Sequence, residues 1–215
     1  MTEHDYVYIA GLADSGVLKG PVLELGAGYG GKTCREIFTS RGISYFGTDI
    51  VPGENVDFVV NFENAGDLEI LRSAGPYSSV LVLNVLEHVF DPIKILDNAL
   101  SLVKAEGCLA ALTPAIWPLH SYPNDVWRIM PDFYEQYASR RKLKLLYDHF
   151  EYVGKGPVNK FCDADFHYQY PAPCDNKRYH LYGRVIHKIF NTFGRGMVQP
   201  SHLAVAAVLV KSNQR

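Results

Sequence analysis

Two stretches carry side chains suited to chemistry. The first is Val22-Leu23-Glu24-Leu25-Gly26-Ala27-Gly28-Tyr29-Gly30-Gly31. Val22, Leu23 and Leu25 form the short apolar run of a buried parallel strand. The glycines remove the Cβ atoms that would hold a ligand off the backbone. Gly26, Gly28 and Gly31 fit the Gly-x-Gly-x-x-Gly spacing of nucleotide-binding turns, which alone says little. Glu24 lies inside the strand, where a carboxylate is costly without a partner, and a cationic ligand group would serve. Asp49 ends the next strand, where an acid can hold a ribose diol. The second stretch runs from Thr113 to Arg128 and holds Pro114, Pro118 and Pro123. Trp117 and Trp127, the only tryptophans, offer faces for a sugar or a ring. His120 offers a base near neutral pH, Asp125 an orienter for it, and Arg128 a contact for an anion or hydroxyl. His88 is a second histidine at a strand end. The same polar groups also suit a rigid loop that only ties down its own backbone.

These residues need a scaffold that brings strand ends together. Residues 3–18 read as an amphipathic helix with Tyr6, Ile9, Ala10, Ala13 and Val17 on one face. It either covers a ligand cleft or simply packs on a sheet. Strands are expected at 21–25, 43–49, 56–60, 79–83, 108–113, 142–153 and 203–211. Helices are expected at 32–40, closed by Gly42, at 64–74, and at 131–140. A further helix starts at Asp91 and Pro92, buries Ile93, Leu96, Leu100 and Val103, and ends at Gly107. Alternating strands and helices imply a doubly wound, mostly parallel α/β sheet with helices on both faces. Ligands of such sheets bind beyond the carboxyl ends of the strands. The alternation breaks over 154–200, which reads as a lid insertion between strands 6 and 7 of a single domain spanning 1–215. That segment is basic and rich in tyrosine. Tyr168, Lys177 and Arg178 are its candidate substrate contacts, although solvated surface or a subunit contact fits the same composition.

Composition narrows the classes. The chain has 215 residues and a net charge of −2, so charge makes no global case for nucleic acid or a membrane surface. The start, Met1-Thr2-Glu3-His4-Asp5, lacks the basic and apolar regions of a signal peptide. The longest apolar run, Leu203 to Val210, is too short to span a bilayer. The four cysteines, 34, 108, 162 and 174, lack the spacing of a zinc site. A cytoplasmic protein with reduced thiols, monomeric or homodimeric, is expected.

Glu24-Leu25-Gly26-Ala27-Gly28-Tyr29-Gly30 resembles the first motif of the class I S-adenosylmethionine (SAM)-dependent methyltransferases. Gly47-Thr48-Asp49-Ile50 resembles their ribose-binding acidic tip, and Leu83 to Pro92 the segment after their fourth strand. The likeness covers residues 20–115 and the last strand. It implies a Rossmann-like, seven-stranded sheet of order 3-2-1-4-5-7-6, with the last strand antiparallel. It implies SAM as cofactor and S-adenosylhomocysteine (SAH) as product. Its implied cradle is Glu24, Gly26, Ala27, Gly28, Tyr29, Asp49 and Ile50, with Asn61 and Phe62 at the adenine and Asn84 and Leu86 beside the methionine portion. Phe62 equally suits a core aromatic. Pro118 to Arg128 is similar to the Pro-x-His-x-x-Pro-x-Asp-x-Trp-Arg stretch of small methyltransferases of glycan and natural-product biosynthesis. Some family members hold a divalent ion through Glu-x-x-Glu-His and a later histidine. Here Asn84 stands at the first position, and losing a carboxylate weakens a site for a hard cation. No metal is expected; Glu87, His88 and His120 are the set that would hold one. Glu87 equally suits an acid bonding nearby backbone at a helix start.

The resemblance therefore implies an enzyme that moves a methyl from SAM to an oxygen of a small-molecule or sugar-like acceptor by in-line transfer. His120 is the expected general base, His88 the runner-up, and Asp125 the orienter. Trp117, Trp127 and Arg128 join Tyr168, Lys177 and Arg178 as expected substrate contacts. Rival readings are an N- or RNA methyltransferase and a non-catalytic SAM-fold binding protein. The basic lid favours RNA, while the overall acidity and the lack of an RNA-binding module disfavour it. The intact turn with Glu24 and Asp49 disfavours the binding protein.

Overall fold

The computed structural model of the protein describes residues 2–28, 33–117, 119–120, 124–154 and 203–212. In chain order the elements are α1 (Glu3–Asp14), β1 (Val22–Leu25), α2 (Arg35–Thr39), β2 (Tyr45–Asp49), β3 (Phe58–Val59), α3 (Ala65–Ala74) and β4 (Tyr77–Leu83). There follow α4 (Pro92–Leu102), β5 (Val103–Ile116), α5 (Pro131–Arg141), β6 (Lys144–Leu145), β7 (Glu151–Gly154) and β8 (Leu203–Val210). The sheet order is β3-β2-β1-β4-β5-β8-β6, with β7 also pairing β8. The pairs from β3 to β5 are parallel. β8 runs antiparallel to β5 on one side and to β6 and β7 on the other.

This is the expected order with β8 in the place of the seventh strand, and one expectation is corrected. The sixth strand is not continuous over 142–153, because a 3₁₀ turn at Tyr147–His149 splits it. That turn buries Phe150 completely and sets its ring edge-on to Tyr147, whose hydroxyl donates to Glu135. Among the described residues eight strands result.

Side chains alternate across the central strands, as the period of two requires. Leu23, Leu25, Val80, Val82, Leu109, Ala111, Val205 and Ala207 face one core with α3, α4 and α5. Val22, Leu81, Leu83, Ala110, Leu112, Ala206 and Val208 face the other, with α1 and α2. Both faces are apolar, which explains why the central strands read as continuous hydrophobic runs. Glu24 falls on the α1–α2 face by the same alternation.

Helix details differ from expectation in phase and length. α1 stops at Asp14 rather than residue 18, and it buries Ile9, Leu12 and Ala13 together with Asp5. α4 buries Ile95, Leu96, Ala99 and Leu102; of the expected stripe Leu96 and Val103 are buried, Leu100 is partly buried and Ile93 is exposed. The Asp91 carboxylate accepts the Lys94 N–H, and this cap fixes the helix phase. α4 also ends at Leu102, because Val103 already pairs with Tyr77 at the start of β5. Cys34 and Cys108 are buried thiols. Among the described residues no helix is long and apolar enough to cross a membrane.

Candidate active site

The tips of β1, β2 and β4 meet at the glycine turn. Gly26 has φ +76°, and a Cβ there would lie 2.8 Å from Val85 Cγ2. At Gly28 a Cβ would lie 2.9 Å from the Asp49 carboxyl group. Side chains at either position would collapse the turn against its neighbours, so glycine is required. The Ala27 N–H donates to the Thr48 carbonyl, and the Thr48 hydroxyl to the Glu24 carbonyl. Asp49 accepts the Gly28 N–H at 3.0 Å and the Val51 N–H at 3.2 Å. This carboxylate thus ties the glycine turn to the tip of β2, and Ile50 beside it is exposed.

Glu24 finds its partner inside the protein. It is 5 % exposed and accepts from the Tyr45 hydroxyl and from the Cys34 N–H just before α2. Burial raises its pKa, while the Tyr45 and Cys34 bonds oppose the rise. At the β3 end, the Asn61 side chain accepts the Glu63 N–H, and Phe62 is buried in the core with its carbonyl accepting from Asn98. Leu86 is wholly buried, so only its main chain can face a ligand. Tyr29 lies outside the described residues, as do Tyr168, Lys177, Arg178 and the whole stretch 155–202.

Asn84, at the end of β4, adopts φ +53°. Its N–H donates to Leu112, and its side-chain amide donates to Asp5 Oδ2 at 3.3 Å. The same Asp5 oxygen accepts the Thr2 N–H, and Thr2 accepts the Asp5 N–H. A capping box at the start of α1 is therefore bonded to the β4 tip. The Thr-x-x-Asp signature was legible in the sequence; its attachment to Asn84 was not.

Beyond β4 the chain makes a 3₁₀ turn at Leu86–His88. Glu87 is 1 % exposed, and neither carboxylate oxygen has a hydrogen-bond partner. Burial pushes its pKa up to about 8, with nearby Asp125 adding to the rise. His88 Nδ1 lies 2.6 Å from the Asn124 carbonyl. A carbonyl can only accept, so Nδ1 carries the proton. His88 Nε2 then faces Glu87 at 3.7 Å. The His120 ring lies edge-on to His88 with centroids 5.0 Å apart. His120 Nδ1 and its main-chain N–H each lie 3.0 Å from Asp125 Oδ2. The Arg128 guanidinium grips both Asp125 oxygens and holds that carboxyl well below the usual carboxylate range. Arg128 also donates to the Trp117 carbonyl at 3.3 Å.

The structure thus gathers His88, His120, Asp125, Arg128, Trp117 and Trp127 beside the β4 and β5 ends. The cluster can orient an imidazole and take up a proton. Glu87, His88 and His120 also offer three ligand atoms within 4.8 Å of one another, a set able to hold a cation.

A family model described as a methyltransferase domain matches residues 8–154. No curated protein matches the chain. Among solved structures, the chain is similar to a Burkholderia thailandensis 1,6-didemethyltoxoflavin-N1-methyltransferase with bound 1,6-didemethyltoxoflavin and SAH. The identity is 11 % and the TM-score 0.60, over 98 % of this chain and 79 % of that one. It is similar to the plantazolicin methyltransferase BpumL in complex with a pentazolic desmethylPZN analog and SAH, at 12 % identity and TM-score 0.55, over 99 % and 86 %. A SAM-dependent methyltransferase from Archaeoglobus fulgidus aligns at 16 % identity and TM-score 0.50, over 97 % and 95 %. At these identities the likeness is one of fold.

Proposed function

The chain belongs to the methyltransferase-domain family, and from that premise we propose that it transfers a methyl group from SAM to an oxygen of a small-molecule or sugar-like acceptor. The described residues fit this cofactor. Glycine at 26 and 28 keeps the turn close to Val85 and Asp49, where Cβ atoms would clash, Asp49 stands at its edge, and buried Glu87 has two oxygens without a hydrogen-bond partner. In this reading Glu24, Gly26, Ala27, Gly28, Tyr29, Asp49, Ile50, Asn61 and Phe62 form the cofactor site with the main chain at Asn84 and Leu86. SAH in two similar structures supports it. The bound cofactor supplies a methyl already activated on a sulfonium. The protein's own task is to align the acceptor, exclude water and remove a proton.

The observation that carries the oxygen reading is the His120–Asp125–Arg128 set. With Nδ1 held by Asp125, Nε2 is the basic nitrogen of His120, suited to take a hydroxyl proton as the new bond forms. Asp125 stays charged beside Arg128 and keeps the ring oriented. His88 is the alternative base. Trp117, Trp127 and Arg128 contact the acceptor, and the lid over 154–200 completes its site through Tyr168, Lys177 and Arg178 within a single domain spanning 1–215. A cytoplasmic setting accords with the buried thiols of Cys34 and Cys108.

A second reading has its own support. The close approach of Glu87, His88 and His120, with Glu87 lacking a hydrogen-bond partner, suits a divalent cation that would itself lower the acceptor's pKa. One experiment separates the readings. Methyl transfer from labelled SAM is measured against sugars, nucleotide sugars, phenols, amines and bulk tRNA, before and after chelation. Label in a hydroxyl acceptor, unaffected by chelator, supports the histidine base. Activity lost to chelation and restored by a divalent ion favours the metal. Label entering only amines or tRNA overturns the oxygen acceptor.

A further inference from the structure

Phe90 is 82 % exposed. It precedes Asp91, the N-cap of α4, a position from which an apolar side chain ordinarily packs on the fourth helical residue. That residue, Ile95, is 2 % exposed, and Phe90 does not share its burial. The Phe90 ring instead meets Trp127, with centroids 6.5 Å apart and planes tilted by 56°. Trp127 is itself 41 % exposed, and its indole N–H donates to the Val89 carbonyl at 2.9 Å.

Two further bonds join the same segments: the Val126 N–H to the Glu87 carbonyl at 2.8 Å and His88 Nδ1 to the Asn124 carbonyl. Residues 87–89 and 124–127 are thereby zipped into one strip. Phe90 follows His88 by two residues, about 7 Å of extended backbone at most. The apolar pair of rings is therefore carried on the same two strips of main chain as the histidine cluster.

We propose that Phe90 and Trp127 form a ledge for the body of the acceptor, and that the acceptor is a flat aromatic hydroxyl compound rather than a sugar. This rests on the methyl-transfer reading. A sugar brings several hydroxyls, and each is costly to bury without a partner. Buried Glu87 aside, the polar groups of the strip named here are already committed. The indole N–H goes to Val89, the Asn124 carbonyl to His88, Asp125 to His120 and Arg128, and Asp91 to the Lys94 main chain. An aromatic hydroxyl compound brings one hydroxyl for the histidines and two apolar faces for the rings, which pair favourably with other rings. It also explains why a large apolar side chain stands in solvent at this point.

Equilibrium dialysis of the SAH-loaded protein tests this with 2-naphthol and methyl glucoside as probes. The wild type is expected to bind 2-naphthol saturably and methyl glucoside at least about ten-fold more weakly. Phe90→Ser should weaken 2-naphthol by at least about ten-fold, the scale of losing one aromatic side chain's contact area. Phe90→Tyr should retain it, and SAM affinity should be unchanged in both. Tighter binding of methyl glucoside, no saturable binding of 2-naphthol, or indifference to Phe90→Ser overturns the ledge. A SAM titration of the wild type reports separately on the methyltransferase reading: SAM bound while 2-naphthol is not overturns the ledge alone, and SAM not bound overturns the methyltransferase reading itself.

Discussion

The tips of β1 and β2 differ from those of β4 and β5 in how they treat polar side chains. In the first region each carboxylate is closed on the protein: Glu24 by Tyr45 and Cys34, Asp49 by Gly28 and Val51. In the second, Glu87 is buried with no hydrogen-bond partner, both histidines have Nδ1 tied back, and Phe90 stands exposed. A region whose groups are spent internally keeps a fixed shape and can select a ligand by fit. A region with unspent groups selects by chemistry. In the proposed reading the constant cofactor belongs to the first and the reacting acceptor to the second.

The strongest way to break this assignment is at His120. His120→Ala should lower kcat by about 10²–10⁴ and leave SAM affinity intact in calorimetry. If SAM affinity falls with it, the two regions are not separable. Asp49→Ala tests the other side. Losing hydrogen bonds to a charged group should weaken SAM by about 1.5–3 kcal/mol, with the residual kcat at saturating SAM little changed. An unchanged SAM dissociation constant would remove Asp49 from the cradle.

Glu24 sharpens the comparison through stability. Its folded pKa is raised above the ordinary 4.5, chiefly by burial, so the folded state holds the proton more tightly than the unfolded chain. The associated stability is fully present below pH 4.5 and is lost as pH rises through the folded value. Glu24→Gln, which cannot ionise, should therefore lose less stability than the wild type between pH 4 and pH 8 in denaturant titrations. Parallel curves for the two proteins would contradict the raised pKa. The smallest effect is expected at Asp5. Asp5→Ala removes half of the capping box and the Asn84 contact, costing about 0.5–2 kcal/mol of stability. It should also speed SAM dissociation in stopped-flow measurements; an unchanged off-rate would mean that α1 packs on the sheet without covering the cleft.

The strand tips were readable because glycine spacing and apolar runs are local signals. Val22 to Gly28 and Tyr45 to Asp49 needed no knowledge of the rest of the chain. The partner of Glu24 was not readable, since Tyr45 comes beside it only through the parallel register that sets Glu24 against Gly47. The phase of α4 was ambiguous because Ile93, Ile95 and Leu96 supply two apolar stripes, and the sheet beneath selects one. The break between β6 and β7 escaped notice because Phe150 is drawn inward by tertiary packing, which no periodicity records. The second-region cluster was legible in membership, through His88, His120, Asp125 and Arg128. Its internal wiring and the standing-out of Phe90 were not, because both depend on the zipper between residues 87–89 and 124–127.

The position of β8 sets a schedule for synthesis. Once a ribosome has delivered residues 1–154, every described parallel strand exists, yet β5 is paired on one side only, by β4, and lacks its antiparallel neighbour along Cys108–Ile116. β6 and β7 cannot dock, because their hydrogen bonds are made to β8. The nascent chain therefore carries an apolar open edge until residue 210 leaves the tunnel, and such an edge is a template for another strand. Translation that halts between β7 and β8 would release a chain with its glycine turn in place and a sheet ready to pair with its neighbours on the polysome.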